Sequence, residues 1–597
     1  MEAEINAMHV EPLAPIAASE RIQALDVVRG FALIGIFLMN IEYFNRALAT
    51  MGQGMPKELV GLDWLATWFV NYFVQGKFWT IFSMLFGMGF AVMLTRAERS
   101  DRGFIAPYLR RILALAVFGA VHYIFIWQGD ILYSYATAAG ALMIVLYGRV
   151  KPMLLAIAVL IGLGFLNGGF FVMAGALTFV SLIAVYMRSE KRVRIAGAGM
   201  PVFAFVILLL GVIGAIAAAT FWLLPKAPKD PCVPLAIFGT VFIIFGVLSA
   251  KYRDPPEKRS LRVGVSLFLF FALTMTSFGV AQYLRPPEPT LAQLEAKDAE
   301  AAMSAKLVSA APAAKVVDPA AVKAPATDAA KTGTDAAKPV TTEPVKTEVQ
   351  KAAEKKADKE KRMKQQREHA AEELRIFTHG SYAEAILLRA REFPDKVVGD
   401  FGFSTVLIGM FLIGFWFVRS GIMENTGAHL PLFRKLFAYA LPLGIGLGLA
   451  GSLIAMSHVP GDEHDGYQIA QGLTNLGNLP ACMGYVAMVV LMLHSKTVFA
   501  KISVLAPAGR MALTNYLTQS LLSTLIFYHY GLGQWGLSRS AQVLYVAVFF
   551  GLQIAFSHWW LARFRYGPME WVWRAFTYRT LPAMRIHPRA PRMAMPA

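Results

Sequence analysis

The sequence predicts an all-α, polytopic transmembrane helical bundle of about 12–14 spans, interrupted by one long disordered extracytoplasmic insert. Three observations predict it. Of 597 residues, 56% are hydrophobic and only 16% charged, with a mean hydropathy of +0.49; soluble domains are about a quarter charged. Apolar runs long enough to span recur along the chain, separated by basic loops. Beyond Arg285 the composition changes abruptly to Ala, Lys, Pro, Thr and Glu with almost no aromatic residues, too little apolar surface to form a core.

Residues 1–25 read as a cytoplasmic N-terminal tail, polar and unlike a cleaved signal peptide. Residues 26–150 form an N-terminal core of four spans. Val27–Phe44 is the first, and Asp63–Gln75, aromatic and amphipathic, is an interfacial helix leading into Phe78–Leu94. The loop Thr95–Arg111 carries Arg96, Arg99, Arg102, Arg110 and Arg111, which places it and the N-terminus in the cytoplasm. Ile112–Trp127 crosses outward, Gly129 and Asp130 turn the chain, and Ile131–Tyr147 returns. Residues 151–285 add further spans. Pro152–Met187 is too long for one, and Asn167-Gly168-Gly169 splits it into a hairpin. Val202–Leu224, Leu235–Ala250 and Val263–Leu284 follow.

Residues 286–373 are the disordered linker, with helical patches expected in Lys351–Glu373; residues 374–400 read as short amphipathic helices at the outer surface. Residues 401–563 hold the C-terminal core: Phe403–Val418, Leu436–Met456, Leu473–Leu493, Met511–Tyr530 and Val543–Leu561. Residues 564–597 are a basic cytoplasmic tail, so both termini lie in the cytoplasm of a bacterial inner membrane.

The net charge of +18 is explained by these cytoplasmic loops, with the lipid bilayer as partner and no nucleic acid. Cys232 and Cys482 make no disulfide framework, and no metal motif is present. Gly446, Gly448 and Gly451 match G-x-G-x-x-G but lie inside a span and follow no strand. They read as small residues for close helix packing rather than as a dinucleotide site.

Ionisable groups inside spans are costly and mark candidate sites. Asp26 and Arg29, one turn apart, can pair, either as a site or as a self-neutralising anchor. His122 is a candidate general base and Asp130 its partner, against the alternative of a hydrogen-bonded core histidine. Eight residues of helix separate the two by about 12 Å, so they touch only if the helix breaks before Gly129. Arg510 precedes Asn515 and Gln519, which share one face and suit either a site or interhelical bonds. Asn40, Glu42 and Lys77 lie near the outer ends of the first two spans. Tyr528-His529-Tyr530 reads as part of an aromatic belt.

At these residues the chain resembles the YeiB family of bacterial membrane proteins, domain of unknown function 418. The matching stretches are RIQALDVVRGFALIGIFLMN (Arg21–Asn40), GKFWTIFSMLFGMGF (Gly76–Phe90), RRILALAVFGAVHYIFIWQGDILYSYA (Arg110–Ala136), HGSYAEAILLRAREF (His379–Phe393), GRMALTNYLTQS (Gly509–Ser520) and FRYGPMEWVWRAFTY (Phe564–Tyr578). The stretch from Pro152 to about Lys364 departs from the pattern. The resemblance extends to a group of transmembrane acyltransferases that includes the lysosomal heparan glucosaminide acetyltransferase, through D-x-x-R-G at Asp26, Arg29 and Gly30. It implies acyl-CoA as co-substrate, no metal, and a small-molecule or glycan acceptor across the membrane. Arg29, Arg110, Arg111 and Arg510 would hold the donor phosphates. The histidine of the heparan enzyme's first loop has no counterpart, since Ile41–Gln75 contains no His. A small-molecule transporter and a non-catalytic membrane scaffold are the other two readings, and a homo-oligomer is open to all three.

Overall fold

The computed structural model describes residues 21–48, 55–56, 58–195, 198–224, 231–253, 255–286, 292–297, 299–300, 303, 348–459 and 464–586. The chain divides into two units, Met1–Arg285 with Glu372–Ala597, and Pro286–Ala371.

In the first unit, every predicted span is helical. The N-terminal helices are α1 (Gln23–Asn40), α2 (Gly61–Phe69), α3 (Lys77–Arg99), α4 (Ile105–Val121) and α5 (Leu132–Tyr147). The predicted hairpin is α6 (Val150–Gly164) and α7 (Gly169–Arg188), whose turn is closed by Gly169 N donating to Asn167 Oδ1 at 2.9 Å. A two-stranded antiparallel ribbon, β1 (Arg192–Ile195) with β2 (Ala198–Pro201), pairs Arg192 with Pro201 and leads into α8 (Val202–Leu223), α9 (Cys232–Tyr252) and α10 (Arg259–Leu284). Eleven helices among the described residues are long and apolar enough to cross a membrane, making the chain a multi-pass membrane protein. Three predicted spans are shorter: α5, α6 and, further on, α17 (Ala512–Phe527).

The segment 374–400 corrects the sequence reading. It is no set of short surface helices. It comprises the end of α11 (Glu348–His379), a break at Gly380, and the first half of α12 (Tyr382–Arg419), a 38-residue helix that runs on into the span. A capping box makes the restart at Ser381: its hydroxyl accepts from Glu384 N and the Glu384 carboxylate accepts from Ser381 N. Within the linker, the helical patch expected in Lys351–Glu373 is present. Residues 348–371 form a regular helix, because Glu and Lys recur at pairing distance, as in Lys364–Glu368 at 3.8 Å. Residues 304–347 lie outside the described residues.

The C-terminal helices are α13 (Leu430–Lys435), α14 (Leu441–Ala455), α15 (Tyr467–Leu493), α16 (Ala506–Arg510), α17, α18 (Arg539–Leu561) and α19 (Pro568–Tyr578). Burial sorts the bundle. Two thirds of the span windows of α1 and α3 are buried (67% each), against 17% in α8 and 22% in α9. So α1, α3, α12 and α15 are central, while α8 and α9 pack mainly on each other with large apolar side chains facing outward, as lipid-facing helices do.

The central pair α3 and α12 meets backbone to backbone. A Cβ on Gly87 would lie 2.0 Å from Phe411 O, and one on Gly414 2.0 Å from Met84 O. Gly446 meets nothing within 4 Å. Gly414→Val is therefore expected to cost about 1–3 kcal/mol by overpacking, read as a lower melting temperature in detergent. Gly446→Val should melt like the parent, and equal melting of the two would overturn this account.

Candidate functional site

The fourth helix does not end in a simple cap. After Val121 it widens into a π-turn, His122–Ile126, closed by Trp127 N donating to His122 O at 2.8 Å. Trp127 is extended, and the chain then reverses past its own ring. A Cβ on Gly129 would fall 2.2 Å from that indole, so the reversal needs glycine there. This is the helix break on which the His122–Asp130 contact depends. Asp130 arrives at the N-terminus of α5, where it accepts from Leu132 N at 3.1 Å and Tyr133 N at 2.8 Å. His122 Nδ1 lies 2.9 Å from Asp130 Oδ1, and both side chains are fully buried. A carboxylate accepting from two amides is an acceptor toward the ring as well, so in the neutral imidazole the proton belongs on Nδ1 and Nε2 presents its lone pair. Nε2 has no hydrogen-bond partner. The Tyr516 ring of α17 stands 5.2 Å away and that of Trp127 6.4 Å away.

Tyr516 is also the wall of a cavity of about 240 Å³. One end is basic, formed by Arg21, Arg29, Arg111, Arg510 and Arg574. Its bore is apolar, lined by Leu85, Phe86, Phe90, Met93 and Leu115, and it closes at Ile36, Ile131, Tyr135 and Tyr516. Ile36 lies thirteen residues above Gln23 on α1, about 20 Å of helix. The His122–Asp130 pair thus lies one aromatic ring, that of Tyr516, from the cavity lining. At the basic end the cavity shares Arg21, Ile22, Val92 and Arg96 with a wider basin of about 1120 Å³ that adds Arg99, Arg102 and His494.

The last helix, α19, covers the basic end. Glu570 accepts from Leu513 N (2.7 Å), Thr514 N (3.1 Å) and Thr514 Oγ1 (2.6 Å), so one carboxylate caps α17 and holds α19 against it. Trp573 Nε1 donates to Arg111 O at 3.0 Å while the Arg111 guanidinium lies 4.0 Å over the same ring.

The structure brings some of the predicted residues together and leaves others apart. Asp26 and Arg29 pair at 2.9 Å on the cavity wall, and Arg29 also donates to Gly509 O at 3.3 Å. Arg510 lines the cavity beside them. Arg110 does not line it: Nε donates to Thr577 O at 2.8 Å and clamps the end of α19. Asn515 and Gln519 face α18 instead, with Nδ2 of Asn515 donating to Ala508 O and Ser557 Oγ (both 3.1 Å) and Nε2 of Gln519 to Gln553 Oε1 (2.8 Å). Asn40 and Lys77 are buried toward the opposite, far end of the bundle, Lys77 donating to Tyr72 O at 2.5 Å. There Glu42 pairs with Arg46 (3.0 Å) and Arg539 (3.5 Å). Tyr528 is no belt residue but fully buried, stacked on Phe377 at 4.3 Å.

Sequence reasoning missed Tyr516, Glu570, Arg389, Glu373 and the pair Lys396–Asp400, whose 2.6 Å contact is joined by Ser134 of α5 at 2.7 Å. Arg389 and Asp400 carried one signal: a charge recurring with the apolar residues of a helix rather than opposite them.

Residues 417–580 match the family model described as "Protein of unknown function (DUF418)". Three curated bacterial proteins are similar. The "Uncharacterized protein YxaH" of Bacillus subtilis is 23% identical over 95% of this chain and 96% of its own. YeiB of Escherichia coli is 44% identical over 81 residues, 14% of this chain and 21% of its own. The chain is therefore similar to the DUF418, or YeiB, family, most directly over residues 417–580. A further relative, the "Uncharacterized 39.9 kDa protein in amylase 3'region" of Bacillus acidopullulyticus, is 42% identical over 22% of this chain and 36% of its own. No solved structure matches. The DUF418 segment contributes one wall of the cavity, including Arg510, Tyr516, Glu570 and Arg574, whereas His122 and Asp130 precede it.

Removing the Glu570 carboxylate strands two backbone amides. Glu570→Ala should cost about 1–3 kcal/mol, read as a lower melting temperature. Glu570→Gln keeps one acceptor oxygen and should fall between Ala and the parent; a Gln variant no better than Ala would contradict the cap.

Proposed function

We propose that this protein is a membrane-embedded acyltransferase of a bacterial inner membrane, taking an acyl group from cytoplasmic acyl-CoA and passing it to an acceptor hydroxyl presented from the other side. The observation that carries the reading is the buried His122–Asp130 pair, its Nε2 unengaged, set one aromatic ring, that of Tyr516, from the lining of an arginine-mouthed apolar cavity. The basic end supplies charge-assisted donors for phosphates, and the bore suits an acyl chain. The excess of Arg at that end supports a cytoplasmic orientation.

The chemistry follows from the pair. His122 Nε2 takes the acceptor's hydroxyl proton as its oxygen attacks the thioester carbonyl carbon. The C–S bond then breaks, and the departing thiolate takes up a proton, returning the imidazole to its neutral form. Asp130 holds the tautomer and stabilises the transient imidazolium.

Expected outcomes are direct. Purified protein should consume acyl-CoA, and His122→Ala should lower turnover about 10²- to 10⁴-fold, with acyl-CoA still raising the melting temperature. Asp130→Asn should also lose turnover, since the substituted carboxamide can offer an NH₂ where Nδ1 needs an acceptor. Arg29→Gln together with Arg510→Gln should weaken donor binding instead. Undiminished turnover in His122→Ala removes the pair from the mechanism. Substrate counterflow in liposomes without any acyl donor would replace acyl transfer with transport.

A further inference from the structure

We propose a second site at the far end of the bundle, centred on Arg389, that binds a small hydroxylated anion carrying a carboxylate or phosphate. Taken with the acyl-transfer reading, on which this step rests, it makes the acceptor negatively charged.

Arg389 of α12 is fully buried. Its Nη1 donates to Ile126 O, the carbonyl just before Trp127, while Nε and Nη2 have no partner. A guanidinium removed from water with two nitrogens unengaged and no direct ion pair is costly. The polar atoms around it are equally unengaged. Gln128 Oε1, Trp127 Nε1 and Tyr528 OH make no hydrogen bond of full geometry, on residues no more than 5% exposed, although Tyr528 approaches Trp127 and Tyr530 approaches Arg389. Trp127 and Gln128 directly follow the carbonyl that Arg389 binds, and Tyr528 adjoins both Trp127 and Arg389. Glu373 borders the same cluster without a direct ion pair to Arg389, accepting from Leu48 N at 2.7 Å and Gln128 Nε2 at 2.5 Å.

Unengaged buried polar groups are rare in folded chains, and a set converging from α12, the π-turn and the end of α17 has the form of a binding site. The donors Nε, Nη2, Nε1 and OH fit an anion, and the Gln128 carbonyl fits a hydroxyl. His122, its ring 6.4 Å from that of Trp127, completes the placement: an acceptor anchored by its charge at Arg389 turns a hydroxyl toward Nε2. The joint between α11 and α12 covers the cluster. It is held by Phe377 on Tyr528, by His529 N donating to Phe377 O at 2.8 Å, and by Tyr382 OH donating to Phe125 O at 2.7 Å. Ligand access requires this joint to lift.

The test is the melting temperature of the full chain in phosphatidylcholine nanodiscs, titrated with inorganic phosphate and with acetate, and separately with acetyl-CoA. A saturable rise with phosphate or acetate is expected in the parent. It should persist when Arg29→Gln and Arg510→Gln are combined, and vanish in Arg389→Gln. Tyr528→Phe and Gln128→Leu, milder changes, should each weaken the anion about threefold to tenfold, which keeps the test decisive where Arg389→Gln does not fold. No rise in the parent overturns the proposal. So does a rise that follows Arg29 and Arg510, which would place the anion at the basic mouth. A response to phosphatidylglycerol in the nanodisc but not to phosphate would assign Arg389 to a lipid headgroup and overturn the soluble acceptor. An anion response through Arg389 with no acetyl-CoA response would leave the site standing and remove acyl transfer.

Discussion

Placing a carboxylate out of reach of water is tolerable only where donors surround it, and Asp130 is arranged around that constraint. Two backbone amides of α5 and the imidazole N–H of His122 converge on it. The amides require Asp130 to stand at the N-terminus of α5. The imidazole requires α4 to end one π-turn after His122 and the chain to fold back. A continued helix would hold the two residues about 12 Å apart. The reversal at Trp127 and Gly129 therefore sets how α4 and α5 lie together, seen in the Tyr133 amide only 2.4 Å from where a Cβ on Gly119 would be. It also sets which way Nε2 faces.

Much of the fold was legible because lipid simplifies the question. A backbone in hydrocarbon must satisfy its own hydrogen bonds, so apolar length alone marks helices, and Asn167-Gly168-Gly169 marks a turn between two of them. The π-turn was not legible. His122 to Ile126 contains no Gly or Pro, and what ends the helix is the room for the Trp127 ring beside Gly129, a tertiary fact. Asn515 and Gln519 show the same limit from the other side. Their spacing put them on one face, but whether that face met a cavity or α18 depended on the rotation of α17, which a period cannot specify. Glu570 was hidden for a further reason: the amides it caps lie 56 and 57 residues earlier in the chain.

The two ends of the bundle are built on different principles. At the basic end, guanidinium groups outnumber the carboxylates Asp26 and Glu570 along the cavity wall, and Glu570 is engaged with α17. That excess is stable where water or a phosphorylated ligand reaches it. At the far end, charge is matched and enclosed: Glu42 lies between Arg46 and Arg539, and Lys396 meets Asp400 under Ser134. Arg389 breaks this rule in a region otherwise built to obey it, which makes it informative where one more arginine at the basic end would not be.

Of the buried side-chain atoms without a hydrogen-bond partner among the described residues, six of thirteen fall together in one place. His122 Nε2, Trp127 Nε1, Gln128 Oε1, Tyr528 OH and two nitrogens of Arg389 are gathered around a single indole. Each could have been silenced by an ordinary substitution: Trp or Tyr by Phe, Gln by Leu, Arg by Met. A membrane bundle gains no packing from keeping them, since the apolar replacements fill similar space without the desolvation cost. Proteins break such local rules chiefly where a ligand restores the missing partners. The strip from His122 to Arg389 therefore reads as one surface, with a base at one end and a cation at the other. The ring of Tyr516 joins that strip to the cavity, lining the cavity while standing 5.2 Å from the His122 imidazole, so under the proposed function it is the side chain between the base and the apolar bore.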